Sequence, residues 1–291
     1  MNHINACFRR IIPLLTVWAA LLFLGIGRVQ AQYELKYVGE AGFAVGAAHY
    51  FGDLNTRTAV NAPKPVIGAF YKYYFSDYVG AKATLRFMQL GYSDAYNTND
   101  FQRKRNLSFN TNLYELALQG DFNFFRFEPG SLDYAFTPYL TGGLAMFHFN
   151  PYAMLDGKKY FLQPLRTEGQ GSPQYSDRKQ YNLISHAYLI GGGFKYNYSK
   201  KINLAIEVLY RFSQTDYLDD VSTTYVGDSF FPPDVNGNPS VAYRLQDRSS
   251  AVTSPAIGEP GRQRGNSRDK DHYATIEFTV GWLFTSYKCK F

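Results

Sequence analysis

Ten charged side chains lie inside otherwise apolar, alternating stretches of the sequence, and five of them are acids and five are bases. Successive side chains of a β-strand point to opposite faces, so a charge within such an alternation belongs to the polar face. If that face is buried, each charge needs a partner, because an unpaired buried ion is strongly destabilising. The ten residues are Glu40, Lys72, Lys82, Arg86, Glu115, Asp121, Lys195, Glu207, Arg211 and Glu277. The pattern predicts a salt-bridged interior, which we favour over a path for protons or ions.

Serine, histidine and acidic residues together could form a hydrolytic site. Two pairs are adjacent in sequence, Ser185 with His186 and Asp271 with His272. Neighbours along a strand point to opposite faces, and the chain has no G-x-S-x-G nucleophile motif. We therefore interpret the histidines near predicted strand ends as interface residues and predict no enzyme; they are His49, His148, His186 and His272.

An acidic and aromatic motif follows the apolar stretch 202–212. We call it the outer rim motif, and it consists of Asp216, Tyr217, Asp219, Asp220 and Tyr225. Its carboxylates could bind a divalent cation, but they lack the D-x-D-x-D-G spacing of a calcium loop. A solvated acidic rim is the favoured interpretation, and neither a metal nor a cofactor is expected.

The stretch 202–212 shows the alternation most fully. Its even positions are apolar, and its odd positions include Glu207 and Arg211. The apolar face ends in Tyr210 and Phe212, as a strand does at a membrane interface. Polar residues inside and apolar residues outside are typical of a transmembrane β-barrel.

Eight stretches of this kind can be counted, at 37–50, 65–75, 79–92, 112–125, 136–149, 185–198, 202–212 and 272–284. Short connections at 76–78 and 199–201 and a moderate one at 126–135 alternate with long ones at 51–64, 93–111, 150–184 and 213–271. Outer-membrane barrels have short periplasmic turns and long outer loops. The sequence predicts an all-β, eight-stranded antiparallel transmembrane β-barrel with both termini in the periplasm and a lumen filled by side chains.

A soluble, lipocalin-like barrel is the alternative fold. It would also have eight strands, but it would turn its apolar faces inward and leave the charged faces in water. The alternating loop lengths and the export signal described next favour the membrane barrel.

Residues 1–31 resemble a secretory signal peptide. Arg9 and Arg10 precede an apolar run, and a small-residue cleavage site ends at Ala31; a signal-anchor helix is the less favoured alternative. Cleavage would remove Arg9, Arg10 and Arg28 and no acid, so the net charge would fall from +6 to +3, which does not favour a nucleic-acid partner. Of the two cysteines only Cys289 would remain, which excludes an internal disulfide. We predict one barrel domain over 32–291, a long loop at 213–271, and outer-membrane lipid as surroundings.

Six motifs, in order along the chain, resemble the PorG-like outer-membrane proteins of the type IX secretion system. The motifs are FGDLN at 51–55, TPYL at 137–140, FHFNP at 147–151, TEGQG at 167–171, GGGFK at 191–195 and TDYLDDVSTTY at 215–225. The resemblance implies a non-enzymatic barrel that tethers a periplasmic ring, made of a lipoprotein and its partner protein, to the outer membrane.

The predicted topology places the contacts with this ring at the periplasmic turns near Asp77, Pro129 and Lys200, or at the mature N-terminus. Two other functions stay open. One is a surface-facing adhesin or envelope-stabilising barrel, and the other, less favoured, is a lipid enzyme.

Overall fold

The computed structural model describes residues 39–233 and 235–284. The predicted signal peptide, the mature N-terminus and Cys289 lie outside these residues. The described residues form ten strands: β1 Gly39–Phe51, β2 Lys64–Tyr74, β3 Val79–Ser93, β4 Ser108–Asn123, β5 Phe136–His148, β6 Pro151–Leu155, β7 Lys158–Phe161, β8 Ile184–Asn197, β9 Ile202–Ser213 and β10 His272–Phe284.

Eight of the strands close into an antiparallel barrel. Around the barrel the order is β1, β2, β3, β4, β5, β8, β9 and β10, and β10 pairs again with β1. Closure leaves no free sheet edge in the wall, which is a requirement in lipid. The predicted eight-stranded antiparallel barrel is confirmed. The remaining strands, β6 and β7, form a hairpin in which β6 also pairs with β4. This hairpin was not predicted from the sequence.

The outer face of the barrel is apolar and the inner face is polar. On β4, for example, Leu116 and Leu118 are 49% and 61% exposed, whereas Glu115 on the opposite face of the strand is 2% exposed. Tyr114 and Phe122, which flank the two leucines on the same face, are also exposed. An apolar wall with aromatic ends around a charged interior is the inverse of a soluble barrel, so this barrel is of the outer-membrane type.

The fifth strand shows how the structure resolves an ambiguous pattern. Apolar residues occupy both parities of β5, so its sequence alone does not assign the two faces. In the structure Tyr139 and Phe147 point into the barrel, while Leu140 and Met146 are exposed on the wall. Tyr139 can face the charged lumen because its hydroxyl donates a hydrogen bond to a lumen carboxylate.

Four long loops at one end of the barrel fold together into a cap, made of residues 52–63, 94–107, 149–183 and 214–271. It contains helix α1, Asp100–Arg105, helix α2, Val241–Gln246, and the β6–β7 hairpin. Its apolar core continues into the barrel and includes Leu54, Leu107, Phe149, Leu162, Tyr181, Leu218 and Leu245. Segment 227–271, within the predicted long loop 213–271, contains α2 and the buried residues Leu245 and Arg264. Among the described residues no helix is long and apolar enough to cross a membrane.

Placing a charge on the apolar wall tests the assignment of faces. We expect Leu116→Arg to lower the free energy of unfolding by about 2–4 kcal/mol, because the side chain would lie in hydrocarbon. Urea unfolding in liposomes can be followed by the fluorescence of Trp282, the only tryptophan left after removal of residues 1–31. Val252→Arg, at an exposed cap residue, should change the free energy of unfolding by no more than about 0.5 kcal/mol. Equal stability of the two variants would contradict the assigned faces.

Candidate functional site

All ten of the charged residues singled out in the sequence lie in the lumen, and Glu115 is at the centre of the group. Its carboxylate accepts hydrogen bonds from Arg86 at 3.0 Å, from Arg211 at 3.1 Å and from Tyr273 at 2.8 Å. Arg86 also donates to Glu277 at 3.0 Å. Side chains from β3, β4, β9 and β10 are thereby joined across the lumen.

A second group of charges lies nearer the short-turn end of the barrel. The Lys82 ammonium is 2.7 Å from both carboxylate oxygens of Glu207. Lys72 is 2.6 Å from Asp121, and Lys195 approaches the same carboxylate at 3.9 Å. Ion pairs of this kind offset part of the cost of burying the charges.

Glu40 is an exception to the expected pairing of each acid with a base. Its carboxylate accepts hydrogen bonds from the hydroxyl of Tyr74 and from the amide of Asn203 at 3.0 Å, not from a base. Neutral donors can hold a carboxylate because each supplies a hydrogen bond without a charge.

Side chains fill the lumen from end to end. Tyr74, Phe127 and Leu283 form an apolar cluster at the short-turn end. Between the charged groups, a cavity of about 10 Å³ beside Lys72 and Lys195 has room for no more than one water molecule. The interior therefore braces the wall and leaves no open channel through the described part of the chain.

The outer rim motif was predicted to be a solvated acidic rim, and the structure contradicts this. Asp216, Asp219, Asp220 and Tyr225 are all at most 4% exposed, and Tyr217 stacks on the ring of Tyr181 at 4.5 Å. The other loops of the cap cover the motif, which no local pattern could reveal.

Each acid of the motif has a specific donor. The carboxylate of Asp216 accepts from the hydroxyl of Ser222 at 2.6 Å. Asp220, whose φ is +66°, accepts from Tyr181 at 2.7 Å and from Thr167 at 2.5 Å. Thr167 belongs to the TEGQG motif, so two of the sequence motifs bind each other in the cap.

Asp219 and Asp271 share one tyrosine at the junction of cap and barrel. The hydroxyl of Tyr50 is 2.6 Å from Asp219 and 2.8 Å from Asp271. A tyrosine hydroxyl has a single proton, so the second contact requires a proton on one of the carboxyls. Burial raises the pKa of Asp219 and Asp271 well above the usual range, and nearby carboxylates raise the pKa of each further.

These raised pKa values predict that the cap is more stable at acidic pH. Unfolded aspartate has a pKa of about 3.9, whereas burial raises the pKa of Asp53 to about 6 and that of Asp216 to about 7. The folded cap thus holds protons that the unfolded cap has released. The stabilisation is fully present below about pH 4 and is lost as the pH rises through the folded pKa values.

Hydrogen exchange between about pH 5 and 8 measures this effect, after correction for the intrinsic exchange rate. The informative amides are those of Leu218 and Val221, which donate to Asp271 and Asp219. The opening free energy of these amides should fall as the pH rises. The fall should be less steep in Asp219→Asn, whereas in the exposed control Asp269→Asn it should equal that of the wild type. A pH-independent opening free energy would contradict the prediction.

Two buried arginines hold the cap together, and neither was identified from the sequence. Arg105 donates to the carboxylate of Asp94 at 2.7 and 2.8 Å. Arg264 donates to Glu168 at 2.9 Å, and Glu168 also accepts from the backbone of Ser222 at 2.9 Å. Both arginines come from polar segments without periodicity, so only the fold identifies them.

The three turn residues named from the sequence lie at the same end of the barrel but differ in exposure. Lys200 is exposed, Asp77 is half-buried and Pro129 is buried. Arg126 donates to Asp77 at 2.9 Å and lies 4.1 Å from the ring of Tyr134. The turns thus form a braced surface from which Lys200 projects.

Among the residues that the structure describes, the histidines do not assemble into a site. His186 is exposed on the wall, and His272 packs against Phe212 there with ring centroids 5.5 Å apart. Asp271, the sequence neighbour of His272, faces the cap interior instead. His49 is buried, in contrast to the expected interface position, and its ring lies against Tyr92.

A family model described as a domain of unknown function, DUF6089, matches residues 16–227. The chain belongs to this family. The DUF6089 match spans the first part of the barrel and the outer rim motif, and it ends before segment 228–271 and β10. No curated protein matches the chain.

Several solved outer-membrane barrels resemble the DUF6089 chain. Neisserial surface protein A is 10% identical, with 84% of this chain and 97% of that chain covered and a TM-score of 0.41. Ail of Yersinia pestis, solved with a heparin analogue, is 9% identical, with 85% and 99% covered and a TM-score of 0.38. OprG from Pseudomonas aeruginosa is 11% identical, with 86% and 96% covered and a TM-score of 0.35.

Proposed function

We propose that this chain is a non-enzymatic outer-membrane barrel of the type IX protein secretion system, which tethers the periplasmic ring complex to the outer membrane. The observation that carries the proposal is the filled lumen. A barrel braced by buried ion pairs cannot conduct cargo, but it is a rigid anchor for a partner. The sequence motifs that resemble PorG-like proteins add the secretion system and the ring to this structural role.

In this proposal the cap faces outward, and both termini and the short turns lie in the periplasm, as the usual loop lengths of outer-membrane barrels suggest. The lipoprotein ring and its partner protein would contact the short-turn surface. Lys200 is the best-placed residue for such a contact, because it is exposed, whereas Asp77 is held by Arg126 and Pro129 is buried.

The test compares the culture-medium proteome of a clean deletion strain with that of the same strain complemented by the gene. We expect signal-bearing cargo to leave the medium and accumulate in the periplasm, and complementation to reverse this. Lys200→Glu should reproduce the defect with a normally assembled barrel, whereas Lys179→Glu, at an exposed cap residue, should not. Normal export in the deletion strain would refute the proposal.

The alternative is a surface-facing adhesin or envelope-stabilising barrel, and one observation favours it. The motifs at 51–55, 167–171 and 215–225 all contribute to the cap, at the end of the barrel opposite the short turns. Under this alternative, export is normal in the deletion strain, while replacement of the cap loops changes adhesion or envelope integrity.

A further inference from the structure

A cleft opens on the cap between the loop that follows β1, helix α1 and the segment around residue 264. Its volume is about 310 Å³, which is within the lower range of small-ligand sites. Its walls combine amides, a guanidinium and an aromatic ring, supplied by Arg57, Asn99, Phe101, Gln102, Gln263 and Asn266.

The floor of the cleft is rigid and its charges are already balanced. Arg105 and Arg264 form it, and both are buried. Arg105 is paired with Asp94 and also donates to the backbone oxygens of Asp53 at 2.9 Å and of Arg264 at 2.6 Å. Arg264 is paired with Glu168. These bonds hold the three segments in place, so the cleft is formed before any ligand arrives.

One exposed guanidinium lines the cleft, and a second lies beside it, next to a lining aromatic ring. Arg57 is exposed on its wall, and Arg262 lies 5.5 Å from the ring of Phe101. Within the described residues neither guanidinium forms a salt bridge. Asp53 is the one carboxylate among the lining residues, and both of its oxygens are within 3.0 Å of the backbone amide of Asn266. The open side of the cleft therefore favours a negatively charged ligand.

We propose that the cleft binds an acidic oligosaccharide. Side-chain amides both donate and accept hydrogen bonds, which matches the hydroxyl groups of a sugar. The planar guanidinium of arginine binds carboxylate, phosphate or sulfate groups in bidentate fashion. Phe101 offers an apolar surface for the C–H face of a sugar ring. Lipopolysaccharide in the same membrane and free acidic polysaccharide share this chemistry.

Isothermal titration of the mature chain in phosphatidylcholine nanodiscs tests the site, with alginate hexasaccharide as the acidic probe and maltohexaose as the neutral one. We expect saturable binding of alginate that weakens with added salt. Arg57→Gln and Arg262→Gln should each lower the affinity about tenfold, as expected for losing one charge-assisted hydrogen bond. Arg166→Gln, at an exposed cap arginine outside the cleft, should leave it unchanged.

Absence of saturable alginate binding would overturn the proposal, as would equal affinities of wild type and both cleft variants. Equal binding of maltohexaose and alginate would overturn the requirement for an acidic ligand. Each variant is first checked for a folded barrel by its electrophoretic mobility before and after heating. In a second arm, nanodiscs containing rough-type lipopolysaccharide identify the source. Displacement of alginate supports the membrane lipid as ligand, and undisturbed binding supports a free polysaccharide.

Discussion

Glu115→Ala should lower the free energy of unfolding of the barrel by about 3–5 kcal/mol, because it leaves buried positive charge without its partner. Glu115 is 2% exposed and accepts hydrogen bonds from Arg86, Arg211 and Tyr273. Arg86 would keep its hydrogen bonds to Glu277, whereas Arg211 would lose its hydrogen-bonded carboxylate and keep only Glu277 at 3.6 Å. The loss should be visible in urea unfolding in liposomes, followed by the fluorescence of Trp282.

Two comparisons separate the charge effect from packing. Glu259→Ala removes a carboxylate from an exposed residue and should change the stability by no more than about 0.5 kcal/mol. Glu115→Leu combined with Arg211→Met removes both charges while keeping apolar volume, so it should recover most of the loss. If Glu115→Ala were as stable as Glu259→Ala, the lumen network would not stabilise the barrel.

Glu168→Ala should open the cap while the barrel stays closed. The carboxylate of Glu168 accepts from Arg264 at 2.9 Å and from the backbone amides of Ser222 at 2.9 Å and Thr223 at 3.0 Å. Its removal takes away the hydrogen-bonded carboxylate of the buried Arg264, which keeps only Asp220 at 3.9 Å as an acidic partner. It also leaves the two backbone amides without their acceptor, and the expected cost to the cap is about 3–5 kcal/mol. The wall strands keep their own pairings, so they should persist.

Limited proteolysis in liposomes distinguishes the two parts of the molecule. Glu168→Ala should be cleaved rapidly within 214–271, and a protected barrel fragment should remain. Glu259→Ala, in the same loop, serves as the control and should resist cleavage like the wild type. Equal resistance of the two variants would show that the cap does not depend on the Glu168–Arg264 pair.

The barrel could be predicted from the sequence because most wall strands, though not β5, repeat a period of two over many residues. Glu115 and Asp121 alternate with Leu116, Leu118 and neighbouring apolar residues, and a single shift of register would put charges in lipid. The predicted strand limits therefore lie within a few residues of those observed. The start of β4 is the largest difference, because Ser108, Asn110 and Thr111 are polar and interrupt the apolar alternation where the strand enters the cap.

The cap could not be predicted in this way. Its stability depends on contacts between loops far apart in sequence, such as those of Arg105 with Asp94 and of Arg264 with Glu168. No periodic pattern marks a buried charge in an irregular segment. For the same reason Asp219 and Asp220 were expected in water, since the loops that cover them follow no local rule. The outer rim motif was recognised as a motif, but its buried position was not.

The polar inner face of the barrel also bears on how such a chain can be exported. A segment that crosses the inner membrane is retained there when about 20 consecutive residues are apolar. Every lumen charge interrupts its strand, as Glu207 and Arg211 do in β9. The same side chains that pair inside the finished barrel therefore keep the strands that carry them too polar to stop in the first membrane. Replacing the lumen network by apolar residues would be expected to trap the chain before it reaches its final bilayer.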